Sequence, residues 1–210
     1  MEEDPPKKRV LLELFSGTGS VGRAFRSRGW DVISVDNDPK AHADIRKDIL
    51  EFETKELLDR KVDLVWASPP CTLYSIVRRV GETSTEATQG ADRLVEKTLE
   101  VVAELGCPVF IENPWTGDLK NRKLLDHLRL RKVDYCKYGM DYRKRTAIWT
   151  STAWEPKETL CARDCGKMDG RKHIARAQQG GPGPSFSQKD LYKIPDKLCS
   201  EIASWATTTT

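Results

Sequence analysis

The sequence predicts a doubly wound α/β fold with a small irregular module near its C-terminal end. Three observations predict it. Short apolar β-like runs alternate with segments of helical spacing over the first 150 residues. A glycine-rich turn joins the first such run to the first helix. From 151 to 190 the alternation gives way to Gly and Pro. Residues 1–150 are therefore expected as the main domain, 151–190 as the module and 191–210 as a terminal helix that packs back on the main domain.

Taken in order, residues 10–15 are the first apolar run and 21–27 the first helix, ended by Gly29. Residues 32–35 and 62–67 read as the second and third strands. Over 91–105, Leu94, Leu99, Val102 and Leu105 recur at helical spacing. Residues 108–111 read as a strand and 119–130 as a helix, and Tyr135 and 147–150 sit in two further β-like runs. Pro156, Gly166, Gly170, Gly180, Gly181, Pro182, Gly183 and Pro184 then break any long element. Pro195 suits the opening of a last helix carrying Leu198, Ile202 and Trp205 on one face. Residues 207–210 are expected to fray.

At 210 residues, 38% of them hydrophobic, the chain suits one domain with a small appendage. No apolar run approaches the ~20 residues of a membrane span. The start, Met1-Glu2-Glu3-Asp4, lacks the basic-then-apolar pattern of a secretory signal. An intracellular location with no membrane partner is expected. Lys7-Lys8-Arg9 reads either as a nuclear import signal or as a solvated flank before a strand.

The net charge of +3 is uneven. Residues 1–120 hold 17 Lys and Arg against 22 Asp and Glu, a net of −5; residues 121–210 hold 18 against 10, a net of +8. A basic C-terminal part fits a nucleic-acid partner, or simply a solvated face. With no secretory mark, the six cysteines at 71, 107, 136, 161, 165 and 199 are not expected to form disulfides.

Phe15-Ser16-Gly17-Thr18-Gly19-Ser20-Val21-Gly22 is a G-x-G-x-x-G turn between strand and helix, where glycines admit a close ligand. Asp36 ends the second strand, placed to bind ribose hydroxyls. Alone, this fits either a nicotinamide dinucleotide or S-adenosylmethionine. A dehydrogenase usually carries a substrate domain, and little chain remains here for one. S-adenosylmethionine needs no phosphate cradle. Asn37, Asp48, Ile49 and Pro69 complete the expected cofactor contacts, with Asp48 toward the adenine amine.

Four motifs, in order, resemble those of the cytosine-C5 methyltransferases. They are Glu13-Leu14-Phe15-Ser16-Gly17-Thr18-Gly19, Ser68-Pro69-Pro70-Cys71, Glu112-Asn113-Pro114 and Asp141-Tyr142-Arg143-Lys144-Arg145. Ile194-Pro195 and the last helix are similar to the family's final motif. The chain departs from the family at three points: Pro114 stands for Val, Asp141 for Gln, and the target-recognition region shrinks to 151–190.

The resemblance implies a Rossmann-like fold, S-adenosylmethionine as cofactor and methyl transfer to cytosine C5, with DNA the expected substrate. It implies that Cys71 adds to C6 of the ring, which makes C5 nucleophilic. Such a site is expected to favour thiolate, with Arg78 and Arg79 close by in sequence. Glu112 would support protonation at N3, and Arg143 and Arg145 would bind the base carbonyl or a phosphate. Residues 73–89 would form a mobile loop that closes on a flipped base. Cytosine methylation in RNA or a free nucleotide stays open, as do a non-catalytic cofactor-binding subunit and a small oxidoreductase. So small a recognition region also leaves room for a partner protein.

The module lacks apolar residues for a core of its own, and a metal is a common remedy. Cys161 and Cys165 with His173 give three ligands, and Cys136 is the expected fourth, for one structural zinc ion. Two alternatives remain: Cys136 packed in the core with the others unpaired in a loop, or a redox-active cysteine pair.

Overall fold

The computed structural model describes residues 8–58, 60–72, 74, 84–179 and 184–209. Met1 to Lys7, Arg78, Arg79, the run from Gly180 to Gly183, and much of the loop expected over 73–89 lie outside them.

Seven strands form the central sheet among the described residues: β1 (Val10–Leu14), β2 (Asp31–Asp36), β3 (Ile45–Arg46), β4 (Leu64–Ala67), β5 (Val109–Pro114), β6 (Arg129–Asp134) and β8 (Arg145–Thr150). Their order is β3-β2-β1-β4-β5-β8-β6. The first five run parallel, and β8 lies antiparallel between β5 and β6. Helix α1 is Ser20–Arg26, α2 Ser84–Leu105, α3 Gln188–Tyr192 and α4 Asp196–Thr209. The doubly wound, Rossmann-like class is the observed one.

Strand side chains alternate between the two faces, which explains why the strands read as continuous apolar runs. Leu12, Leu14, Val65, Ala67, Val109 and Ile111 face a core shared with Ala91, Val95 and Val101 of α2. Leu11, Leu64, Trp66 and Phe110 face the other core, with Val21 and Phe25 of α1 and Leu198, Ile202 and Ala203 of α4. Phe110 anchors that second core. It stacks on Trp66 with centroids 6.0 Å apart and meets Trp154 and Trp205 edge-on at 5.7 and 6.0 Å.

Several local expectations are corrected. The helix expected over 119–130 is a short 3-10 turn, Leu119–Asn121, followed by turns and strand β6. Lys123 has φ +52°, which stops a helix there. The run Arg129-Leu130-Arg131-Lys132 instead forms the sheet edge, where exposed cations discourage further pairing. Tyr135 begins a 3-10 turn, Tyr135–Tyr138, rather than lying in a strand. Residues 84–89 of the expected loop belong to α2. Thr207, Thr208 and Thr209 continue α4 where fraying was expected, and Thr210 lies outside the described residues. The Trp30 indole donates to the Thr207 hydroxyl at 2.9 Å, and the Arg9 guanidinium donates to the Thr207 carbonyl at 2.6 Å. Of the two basic-flank residues described, Lys8 lies 3.9 Å from Asp31 and Arg9 holds the end of α4.

Between Ser151 and Asp190 the backbone forms two minimal ladders. Strand β9 (Met168–Asp169) pairs antiparallel with β10 (Lys172–His173). Strand β11 (Ala175–Arg176) pairs in parallel with β7 (Tyr142–Arg143). The Tyr142 hydroxyl donates to the Asp190 carbonyl at 2.8 Å, and Phe186 packs edge-on against its ring.

Candidate active site and metal cluster

The C-terminal ends of β1, β2, β4 and β5 converge on a cavity of about 280 Å³. Ligands bind at such strand ends in open α/β sheets. The glycine-rich turn forms one wall through Phe15, Ser16, Gly17 and Thr18. Phe15, Gly17 and Gly19 all have positive φ, and Phe15 is a non-glycine residue held in that strained region. Gly22 is required for a different reason. A Cβ there would come within 2.5 Å of Glu13 Oε2 and 3.2 Å of Val32 Cγ1.

Asp36 lines the cavity and accepts from the Gly17 N–H at 2.8 Å, fixing the turn to the end of β2. Asn37 also lines it, and its amide lies 3.5 Å from Asp48. Asp48 and Ile49 stand back from the lining. Asp48 caps the Ile49–Glu51 turn by accepting from the Leu50 N–H at 2.9 Å, and Ile49 is buried in the core. Gly19 shapes the turn without lining the cavity.

The opposite wall is Ser68, Pro69, Pro70, Cys71 and Thr72 after β4, with Glu112 and Pro114 at the end of β5. The buried Asn113 amide donates to the Pro69 carbonyl at 2.9 Å and ties these two motifs together. Glu112 is buried and accepts the Tyr135 hydroxyl at 2.8 Å. Burial pushes the Cys71 thiol above its ordinary range; the Lys144 ammonium pulls it back down, and Glu112 pushes it up. Desolvation is the leading cause, so the shift runs toward the thiol where the sequence expectation was thiolate. All six cysteines are unbridged.

Arg143 and Arg145 do not line the cavity. Both grip Asp134, a fully buried carboxylate: Arg143 Nε at 3.1 Å, Arg145 Nε at 3.1 Å and Arg145 Nη2 at 3.1 Å. The residue between them, Lys144, faces the cavity together with Tyr192 and Ile194. Sequence reasoning passed over Lys144 because its neighbours carried the motif. It also left Glu13 out of the site. Burial raises the Glu13 carboxyl to about 7 against the pull of the Gly22 N–H, Arg26 and Arg23.

The walls suit S-adenosylmethionine. The Ser16 hydroxyl is buried without a hydrogen-bond partner among the described residues, and Glu13, Asp36 and Asp38 add carboxylates to the same cavity. Such a donor and acceptor set matches a cationic, polar nucleoside ligand.

About the β6–β7 connection, Cys136, Cys161, Cys165 and His173 bring one ligand atom each to within 4.8 Å of one another. Cys136 Sγ and Cys161 Sγ each lie 3.5 Å from His173 Nε2. The Arg163 N–H donates to Cys161 Sγ at 3.3 Å, from a residue with φ +74° that turns the chain between the two cysteines. Burial and Arg143 lower the His173 pKa, favouring the neutral imidazole that metals bind. The four expected ligands thus converge and could hold a metal ion.

No family model matches the sequence. Among solved structures, the Entamoeba histolytica methyltransferase EhMeth superposes with a TM-score of 0.52 at 15% identity, over 73% of this chain and 56% of that one. The S. pombe Dnmt2 methyltransferase gives 0.49 at 17%, over 73% and 52%. This chain spans about half the length of those structures. EhMeth supports the fold class, an open α/β sheet of the Rossmann-like kind. A protein of Frog virus 3 (isolate Goorha) named "Probable DNA (cytosine-5)-methyltransferase" is 35% identical over 213 residues, 91% of this chain and 97% of its own length. The chain belongs to the cytosine-C5 methyltransferase family, which implies S-adenosylmethionine as cofactor. No helix among the described residues is long and apolar enough to cross a membrane.

Proposed function

We propose that this protein transfers a methyl group to C5 of cytosine in DNA through a covalent adduct of Cys71. The observation that carries the reading is the shared cavity: Cys71 and Glu112 line the same space as the glycine-rich turn and Asp36. DNA is preferred over RNA because of the name of the viral relative. The net +8 of residues 121–210 supports a nucleic-acid substrate over a free nucleotide.

S-adenosylmethionine, when bound, supplies an electrophilic methyl group. Ser16, Gly17, Asp36 and Glu13 are the residues that would hold it. Cys71 forms a bond to C6 of the cytosine, and the ring electrons move to C5. Glu112 supports a proton at N3 as the thiolate adds. Tyr135 fixes the Glu112 carboxylate by donating to Oε1. Lys144 favours the Cys71 thiolate electrostatically. A duplex substrate must flip its base to reach this recess. One structural zinc ion is assigned to Cys136, Cys161, Cys165 and His173, remote in role from the nucleophile.

Incubation with tritiated cofactor and cytosine-containing DNA or RNA, followed by nucleoside analysis, tests the reading. Labelled 5-methylcytosine from DNA is the expected result. Label confined to RNA or to nucleotides would overturn the substrate, and label on another base would overturn the reaction.

A further inference from the structure

Asp134 touches both the Cys/His cluster and the arginine motif. Its Oδ2 accepts the Cys161 N–H at 2.9 Å, and both its oxygens are gripped by Arg143 and Arg145. The Asp134 N–H donates to the Thr159 carbonyl at 3.1 Å, so its backbone is also tied to the segment leading into Cys161. Cys136 follows two residues later. His173 lies two residues before the start of β11, which ladders onto Tyr142 and Arg143. The Lys144 carbonyl accepts the Tyr135 N–H at 3.0 Å, one residue before Cys136.

The cluster also has the dimensions of a tetrahedral site. With Zn–S of about 2.3 Å and Zn–N of about 2.0–2.1 Å, sulfur and nitrogen ligands fall roughly 3.5–3.6 Å apart. The two S···N distances here are both 3.5 Å. The ligands come from three chain segments, at 136, 161–165 and 173, the first two of which are also tied by the Asp134 bonds and by Lys137 to Glu158 and Asp164, so one ion would fasten all three at a single point.

We propose that the metal centre and the arginine motif form one unit joined by Asp134, so that metal occupancy sets the placement of Arg143, Lys144 and Arg145 and thereby nucleic-acid binding. This rests on the zinc assignment above. In this unit Asp134 is a positioning residue. Metal loss frees the 161–165 turn, removes the Cys161 N–H from Asp134 and releases the two arginines from a fixed geometry. The glycine-rich turn and Asp36 lie on other strands, so cofactor binding does not share this dependence.

The test compares full-length protein as purified with chelator-stripped protein. Metal content, anisotropy with a fluorescein-labelled cytosine-containing duplex, and calorimetry with S-adenosylhomocysteine are measured on each. Stripping is expected to weaken duplex binding by about tenfold or more while cofactor-product affinity stays within about twofold, and added zinc restores the duplex. Asp134→Asn is expected to keep its zinc and lose duplex affinity to a similar degree, with Asp134→Glu recovering part of it. Should Asp134→Asn not fold, the double variant Arg143→Ala/Arg145→Ala decides the matter: stripping its metal should cost clearly less duplex affinity than stripping the parent, and an equal loss would overturn the proposal. Absence of metal, duplex affinity indifferent to metal, or an equal loss of both affinities would each overturn the proposal. None of these readouts involves methyl transfer, so failure of the catalytic assignment would be seen separately.

Discussion

The Asn113 side-chain amide donates to the carbonyl of Pro69 at 2.9 Å, inside the protein, and so joins the strand that carries Glu112 to the turn that carries Cys71. The two motifs are far apart in sequence, and this bond ties the segment of Cys71, the proposed nucleophile, to that of Glu112. Asn113→Ala is expected to lower kcat by about 100-fold, the cost of a small misplacement of reacting groups, while S-adenosylhomocysteine affinity is kept. Steady-state kinetics with calorimetry check it; an unchanged kcat would assign the bond to stability alone.

Cys71 gives a pH dependence. Burial holds its thiol above the ordinary range and Lys144 counteracts this. The thiolate is the reactive form, so kcat/KM should rise with pH along a limb lying above that of an ordinary cysteine. Lys144→Met should move the limb further up and lower the rate at neutral pH. A limb that does not move in the variant would remove Lys144 from the mechanism.

Glu13 gives a stability dependence of the opposite kind. Its carboxyl is raised from 4.5 to about 7, chiefly by burial. Between these values the folded chain binds more protons than the unfolded one, so unliganded stability falls as pH rises through this window, by something on the order of 3 kcal/mol. Glu13→Gln should flatten that part of the Tm profile. Ionised Glu13 also suits a cationic ligand, so S-adenosylmethionine affinity should increase over the same window and lose this trend in Glu13→Gln.

The sequence made the fold class and the two cavity motifs legible because buried parallel strands leave apolar runs and glycine turns leave a spacing signature. That Cys136, Cys161, Cys165 and His173 come together was readable as well, from three candidate ligands in a stretch short of apolar residues and a fourth just before it. Lys144 was not readable, because it sits in the one-residue break between β7 and β8, where tertiary contacts such as the Tyr135 N–H to its carbonyl set its direction. That Arg143 and Arg145 grip Asp134 was not legible either, because an ion pair between chain segments leaves no spacing signature.

The cluster should make stability depend on metal. Metal analysis of untagged protein is expected to find about one zinc per chain, and Cys161→Ser to lose it with a fall in Tm. Equal Tm with and without chelator would contradict the assignment.

Arg171 and Lys172 are exposed beside the β9–β10 turn. Reversing both charges should weaken duplex binding and make its salt dependence shallower, with cofactor affinity unchanged. Identical salt slopes for variant and parent would place the nucleic acid elsewhere.

The covalent role of Cys71 is tested most directly by a duplex containing 5-fluorocytosine, incubated with S-adenosylmethionine and resolved under denaturing conditions. Fluorine at C5 blocks the final elimination, so the parent protein should be trapped as a protein–DNA adduct and Cys71→Ala should give none. A Cys71→Ala protein that still forms the adduct, or still methylates ordinary cytosine, would contradict the mechanism.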